Sequence, residues 1–302
     1  MSKIAFLFPG QGAQYVGMGK DFYEAFPVCR EVFEEASKAS GLDIPVLCFE
    51  ENDKLNQTEY TQICMLAVEA SILKAVETQG IQSDVNAGLS LGEYGAVIAS
   101  GVMSLKDAFR VVRQRGIYMQ EAVPTGGAMI AVLGLDAKII EKVCEEVEGI
   151  VSVANYNCPG QIVISGLKEA VETAAVKLKE AGARRVIPLN VSGPFHSYLL
   201  EAAGEKLGRF LENIPVSEPK IPYVANVTAA YVTKAEDVKP LLTRQVSSSV
   251  RWQQSVETML ADGVDRFIEI GPGKTLAGFI RKINREATVI NIEKFEDLEK
   301  LN

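Results

Sequence analysis

Short strand-like runs alternate with longer amphipathic stretches along most of this chain, and that alternation constrains its fold more than any other feature. Ile4–Phe8, Val85–Leu89, Arg266–Ile270 and Thr288–Ile292 read as short strands, with a shorter one at Tyr223–Ala225. Between them, Lys20–Ser40, Gln62–Gln79, Leu91–Ser100, Leu105–Glu121, Leu199–Glu212, Trp252–Asp262 and Thr275–Asn284 space their apolar residues as helices do. Strands separated by helices are what parallel pairing requires, so the pattern predicts an α/β fold built on a parallel sheet. The charged stretch Glu293–Leu301 reads as a terminal helix with a solvated face.

The middle of the chain has a different rhythm. Ala128–Leu133, Val151–Ala154, Gln161–Ser165 and Arg185–Leu189 read as strands, with helices over Ala137–Val147 and Lys168–Ala181. That order, β-α-β-β-α-β, is the ferredoxin-like unit. Breaker clusters bound it, Pro124-Thr125-Gly126-Gly127 before and Gly193-Pro194 after. The expected division is a core of residues 1–124 and 194–302 with a small domain inserted at 125–193. A length of 302 residues suits two domains.

Composition narrows the function classes. With 47% hydrophobic and 23% charged residues the chain can bury an ordinary core, which excludes disorder. A net charge of −8 without a long basic stripe argues against nucleic-acid and membrane-surface partners. The N-terminal apolar run is too short for a signal peptide, and no run reaches the ~18 residues of a membrane span. The expected location is the cytoplasm. Cys29, Cys48, Cys64, Cys144 and Cys158 are odd in number and include no C-x-x-C pair, so they read as buried free thiols rather than a metal cluster or disulfide framework.

The segment Gly88-Leu89-Ser90-Leu91-Gly92 matches G-x-S-x-G, between a predicted strand and a predicted helix. In that setting glycines allow a sharp turn that exposes the serine hydroxyl, and the Leu91 N–H points at the reacting oxygen. A serine is a weak nucleophile without a base. The chain has one histidine, His196, in the loop Ser192-Gly193-Pro194-Phe195-His196-Ser197 beside the predicted inter-domain cleft. Asp84 and Glu93 lie near Ser90 in sequence, but nothing ties either to His196, and a backbone carbonyl can orient an imidazole equally well. Arg115 sits among apolar helical neighbours, where an arginine either snorkels to the surface or grips a carboxylate. Pro9-Gly10-Gln11-Gly12 follows the first strand without a phosphate-loop pattern. It is either an ordinary turn or a source of backbone N–H donors at a strand end.

These residues, with Glu93, Arg115-Gly116, Asn155-x-Asn157 and Gly271-Pro272-Gly273 in the same order, give the chain its resemblance to malonyl-CoA:acyl carrier protein transacylases over nearly its whole length. The resemblance implies an α/β-hydrolase-like core with a ferredoxin-like insertion. By position it makes Ser90 the acylated nucleophile and His196 the general base and acid. Gln11 and the Leu91 N–H become the oxyanion hole, and Gln245 the residue whose carbonyl orients the histidine. Arg115 would bind the free carboxylate of malonyl, with Gln62, Phe195 and Asn157 at the substrate. Where the family commonly has histidine before the nucleophile, this chain has Leu89. That leaves His196 as the only histidine base and removes a polar group near Arg115.

The implied reaction is ping-pong acyl transfer from malonyl-CoA, a substrate, to acyl carrier protein, by a monomer needing no metal or redox cofactor. A serine thioesterase is disfavoured by Arg115, and a silent acyl sensor by the intact Ser90, His196 and Gln11. A polyketide-synthesis acyltransferase would use the same chemistry. An acidic carrier meeting a net-negative enzyme requires a local basic patch, for which Lys177, Lys179, Arg184, Arg185, Lys274, Arg281 and Lys282 are the candidates.

Overall fold

A computed structural model describes residues 2–189 and 193–301. Ser192 and the end of the expected small domain, 190–192, lie outside the described residues. Strand β1 (Lys3–Phe8) runs into Pro9-Gly10. Helices α1 (Lys20–Ala25) and α2 (Pro27–Ser40) replace the single helix expected over Lys20–Ser40. Pro27 disfavours helical backbone at the preceding residue, and Phe26 is extended with φ −118° and ψ 123°. Proline then suits the first turn of α2, where no amide donor is needed. Helix α3 (Ile44–Phe49) is capped by Asp43, which accepts from the Val46 amide. Helix α4 (Thr58–Thr78) begins before the expected Gln62 and is buried along most of its length.

Strand β2 (Val85–Gly88) leads through one 3-10 turn at Ser90–Gly92 into α5 (Glu93–Ala99), and Ser104 caps α6 (Leu105–Ala122). The middle follows the expected order: β3 (Gly127–Leu133), α7 (Ala137–Glu146), β4 (Val151–Cys158), β5 (Gln161–Leu167), α8 (Lys168–Glu180) and β6 (Arg185–Pro188). Strand β4 runs past Ala154, where the sequence pattern ended. Helix α9 (Glu201–Leu211), strands β7 (Tyr223–Val224) and β8 (Tyr231–Val232), helices α10 (Ala235–Gln245) and α11 (Trp252–Ala261), strand β9 (Val264–Ile270), helix α12 (Thr275–Ile283) and strand β10 (Thr288–Ile292) complete the order. The sequence pattern did not indicate β8 or α10. The terminal Phe295–Leu301 is 3-10 rather than α-helical.

Among the described residues the strands form two sheets. The larger has the order β10-β9-β1-β2-β7-β8 and is parallel except for the edge strand β8. Successive side chains on β1 point to opposite faces. Phe6 and Phe8 join a core with α2, α4, α5 and α6, whereas Ala5 and Leu7 pack with Trp252 of α11 and Leu276 of α12. Both faces are covered, as a parallel sheet requires. Because the strands are parallel, β1, β2, β7 and β9 all end at one edge, and the loops carrying Gln11, Ser90, Asn226 and Gly271 leave from it together. Open α/β sheets bind ligands at that edge.

The smaller sheet, β4-β5-β3-β6, is antiparallel throughout. Ile130, Val132, Ile162 and Ile164 point to α7 and α8, while Met129, Ala131 and Val163 face the main core. Main-chain bonds also join the sheets' segments. Tyr156 N–H donates to the Val250 carbonyl at 2.9 Å, and Val250 N–H to that of Ala154 at 2.8 Å. All five cysteines are buried free thiols. Among the described residues no helix is long and apolar enough to cross a membrane.

Candidate active site

The turn that follows β2 is possible because of its glycines. A Cβ on Gly88 would lie 1.9 Å from the Gly92 carbonyl oxygen, and one on Gly92 would lie 2.0 Å from that of Phe8. Neither position tolerates a side chain, so β2 and the helix entry can approach β1 and each other closely. Ser90 sits at the apex with φ +55°, a left-handed conformation that costs a non-glycine residue ~1–3 kcal/mol. His196 has φ +58°. Strained backbone thus occurs at both residues the sequence singled out as nucleophile and base.

Their side chains meet. His196 Nε2 lies 2.7 Å from Ser90 Oγ. On the other side of the ring, Nδ1 lies 2.9 Å from the Gln245 carbonyl and 3.1 Å from that of Ser248. A carbonyl only accepts, so Nδ1 carries the hydrogen, and Nε2 of the neutral ring is left as acceptor for the serine hydroxyl. His196 is 4% exposed. Burial pushes its pKa down to about 4, and the Arg115 cation adds to that, against the two carbonyls that favour the protonated ring. The imidazole is therefore held neutral, as a base requires. Among the described residues no carboxylate contacts it; the carbonyls take that place.

Arg115, 1% exposed, does not snorkel. It projects from α6 beneath the serine. Nη2 donates to Ser90 Oγ at 3.1 Å and to Gln245 Oε1 at 2.9 Å, and Nη1 to Gln62 Oε1 at 2.7 Å. Since Nη2 donates to Oγ, the hydroxyl proton is free to point at His196. Gln245 also donates from Nε2 to the Ser90 carbonyl at 2.8 Å and to Glu93 Oε2 at 2.6 Å. Burial pushes the Glu93 carboxyl up to about 7, although Gln245, Asn226 and Arg115 all favour its charged form. Asp84 is elsewhere, accepting from the Ile4 amide at the opposite end of β1.

Above Ser90 opens a cleft of about 240 Å3 between the two sheets. Gln11, Gln62, Leu91, Asn157, Phe195 and His196 line it, with Leu89 beside the serine. Gln11 donates from Nε2 to Thr58 Oγ1 at 3.0 Å. Arg115 and Gln245 lie behind this lining rather than on it. Of the basic residues, Lys274 adjoins the cleft residue Thr275, and Lys282 bonds Gln161 of the small sheet. Lys177 instead bonds the Glu146 carbonyl, among the helices on the far face of that sheet. Among the described residues no cluster of histidine, cysteine or carboxylate side chains is arranged to hold a metal ion.

Sequence reasoning missed three participants: the Ser248 carbonyl, the link from Glu93 to Gln245, and Asn226. The last follows β7 at the same sheet edge as Ser90, a position whose chemistry the strand reading could have flagged.

A family model described as an acyl transferase domain matches residues 5–295. The malonyl CoA-acyl carrier protein transacylase of Bacillus subtilis is 46% identical over 304 residues, 99% of this chain and 96% of that protein. An acyl carrier protein S-malonyltransferase from Vibrio cholerae superimposes with a TM-score of 0.97 at 41% identity, covering all of both chains. A malonyl-transacylase solved in complex with its type II PKS acyl-carrier protein superimposes with a TM-score of 0.96 at 41% identity, over 99% of this chain and 98% of that one. The serine elbow, its neutral histidine and the buried arginine thus stand in a chain that belongs to the acyl transferase domain family, among the malonyl CoA-acyl carrier protein transacylases.

Proposed function

We propose that this chain moves a malonyl group from coenzyme A to the phosphopantetheine thiol of acyl carrier protein in fatty-acid biosynthesis, through a malonyl ester on Ser90. The observation that carries this reading is the convergence of His196 Nε2 and Arg115 Nη2 on one oxygen, Ser90 Oγ. A base and a buried cation at the same hydroxyl suit an acyl group that bears a free carboxylate.

In the first half-reaction His196 Nε2 takes the hydroxyl proton as Oγ bonds to the thioester carbon. The carbonyl oxygen becomes an oxyanion, with the Leu91 N–H and Gln11 as its donors. Collapse breaks the C–S bond, and His196 returns the proton to the coenzyme A sulfur. In the second half the carrier thiol gives its proton to His196 and attacks the ester carbon, and Oγ leaves with that proton. Throughout, Arg115 holds the malonyl carboxylate in exchange for its present acceptors, Gln62 and Gln245. Phe195 and Asn157 bound the space for the acyl group. These steps use no metal or redox cofactor, and malonyl-CoA enters only as a substrate.

We read residues 1–124 and 194–302 as an α/β-hydrolase-like core and 125–193 as a ferredoxin-like insertion. The strand order β6-β3-β5-β4, with both helices on one face, supports the latter. The same reading makes the chain a cytoplasmic monomer whose macromolecular partner is acyl carrier protein, with no nucleic-acid or membrane partner. The carrier bound in the solved relative supports that choice. That carrier belongs to polyketide synthesis, so rates with fatty-acid and polyketide carriers decide between the pathways.

Mass spectrometry of the protein mixed with malonyl-CoA tests the proposal. A malonyl adduct on Ser90, absent from Ser90→Ala and discharged by acyl carrier protein faster than by water, is the expected result. Discharge by water at the same rate would make the chain a thioesterase, and no adduct on Ser90 would end the elbow assignment.

A further inference from the structure

We infer that Asn226 is a positioning residue that holds the strained nucleophile turn in its reactive shape; this rests on Ser90 being the acylated residue. Asn226 is fully buried. Its side-chain Oδ1 accepts the Ser90 N–H at 2.6 Å, and its Nδ2 donates to the Gly88 carbonyl at 2.6 Å. An N–H only donates and a carbonyl only accepts, so these two partners fix the orientation of the amide. Its own N–H donates to Glu93 Oε2 at 3.2 Å, and its carbonyl accepts from Arg251 N–H at 2.9 Å. One side chain thus spans the turn from the last residue of β2 to Ser90, and its backbone is anchored on both sides.

This bridge has a role beyond packing on two grounds. First, a serine at φ +55° persists only where its surroundings over-determine it. The clamp satisfies the two main-chain groups that such a turn leaves without partners inside a buried region. It needs a donor and an acceptor on two separate atoms of one short planar group, which asparagine supplies and an ionised aspartate, a serine or a leucine does not. Second, the clamp commits the Ser90 N–H to Asn226, so that amide is not a donor to the reacting carbonyl, and the oxyanion falls to other groups. Glu93 extends the frame. Its Oε2 accepts from both Asn226 and Gln245, whose carbonyl receives His196 Nδ1. Nucleophile and base are therefore aligned through one buried network.

Asn226→Asp tests this with little change in shape. A protonated carboxyl can still donate to the Gly88 carbonyl, whereas an ionised one turns an acceptor toward it. Glu93, pushed up to about 7 by burial, bonds Asn226 directly; Arg115, Tyr94 and Tyr223 bear on Glu93 in turn, and His196 on Ser90. Ser90 acylation by malonyl-CoA should fall ~10²-fold near pH 8, the size expected of a misplaced reacting atom, with KM changed less than ~3-fold. The deficit relative to wild type should shrink as pH falls, a trend that a merely structural lesion would not give. Acylation at the wild-type rate at pH 8, or a deficit independent of pH in a folded variant, overturns the inference. If Asn226→Asp does not fold, Asn226→Ser keeps one hydroxyl and should still acylate at least ~10-fold slower. Hydrogen exchange in the unaltered protein gives a check that needs no variant: the Ser90 amide should be protected, and free exchange there overturns the inference. Absence of any adduct on Ser90 in the unaltered protein would instead be a failure of the functional proposal, not of the clamp alone.

Discussion

Arg115 donates to Ser90 Oγ at 3.1 Å, so the cation proposed to hold the malonyl carboxylate also touches the proposed nucleophile. The guanidinium is buried and already spread over three acceptors, Ser90, Gln62 and Gln245. On the proposed reading a malonyl carboxylate would gain a charge-assisted bidentate contact there, and an acetyl group would gain nothing in return for disturbing the network.

Acyl selectivity follows. Losing one partner of a buried ion pair costs about 3–5 kcal/mol, or ~10²–10⁴-fold. Arg115→Ala should lose that much in kcat/KM for malonyl-CoA while sparing or raising the rate with acetyl-CoA. Equal losses with both thioesters would make Arg115 a structural residue.

A pH profile should carry the signature of the buried histidine. Since His196 is pushed down to about 4, first by burial and then by Arg115, the ascending limb of kcat/KM should lie below the ordinary imidazole range. With acetyl-CoA as donor for both proteins, Arg115→Gln should move that limb upward, because the cation no longer opposes the imidazolium. Burial remains, so the limb should stop short of the ordinary 6.5. Stability has the matching sign. At this histidine, between about 4 and 6.5 the unfolded state binds the proton and the folded one does not, so its contribution to stability is lost as pH falls through that window, opposite in sign to the raised carboxyls of Glu93 and Glu269. His196→Gln should remove that contribution, so that on a plot of Tm against pH the variant gains on the wild type as pH falls from 6.5 towards 4. An unchanged limb in Arg115→Gln would remove the arginine as a cause.

Glycine substitutions should separate the tight turn from an open position. Gly92→Ala would drive a Cβ to 2.0 Å from the Phe8 carbonyl oxygen and should cost more than ~3 kcal/mol or prevent folding. In α12, a Cβ on Gly278 meets nothing within 4 Å outside its own helix. Gly278→Ala should therefore stabilise by ~0.4–1 kcal/mol through the unfolded state. Denaturant midpoints of the two variants give the comparison directly, and a neutral Gly92→Ala would contradict the geometry.

Carrier docking should discriminate among the basic residues. Lys274, Arg281 and Lys282 lie on or beside α12, whose first residue lines the cleft, whereas Lys177 lies among the helices behind the small sheet. Reversing the first three charges should raise KM for acyl carrier protein and weaken its salt dependence, with malonyl-CoA kinetics unchanged. Lys177→Glu should do neither. If Lys177 proved the sensitive position, the carrier would approach from the other face.

Features governed by local chemistry were legible in the sequence. Strand and helix periods gave the α/β order and the β-α-β-β-α-β unit, since each repeats over a few residues. Gly88-x-Ser90-x-Gly92 announced a turn that only glycines permit, and a single histidine left one candidate base. Local signals faltered where they conflicted. Pro27 divides a helix whose apolar spacing continues across it, and α10 contains Pro240 within a charged stretch. How distant groups meet lies outside any local pattern: the resemblance implied His196 as the base of Ser90 and the Gln245 carbonyl behind it, and the tertiary structure alone added Asn226 and Ser248. Ser90 reaches Asn226 and His196 across 136 and 106 residues of chain, and His196 reaches the carbonyls of Gln245 and Ser248 across 49 and 52. No sequence pattern encodes such pairs, because they follow from parallel strands ending at one sheet edge and from main-chain groups that every residue shares. Likewise, whether Arg115 met water or a buried hydroxyl was set by the packing of α6 beneath that edge, where burial removed the alternative of solvation.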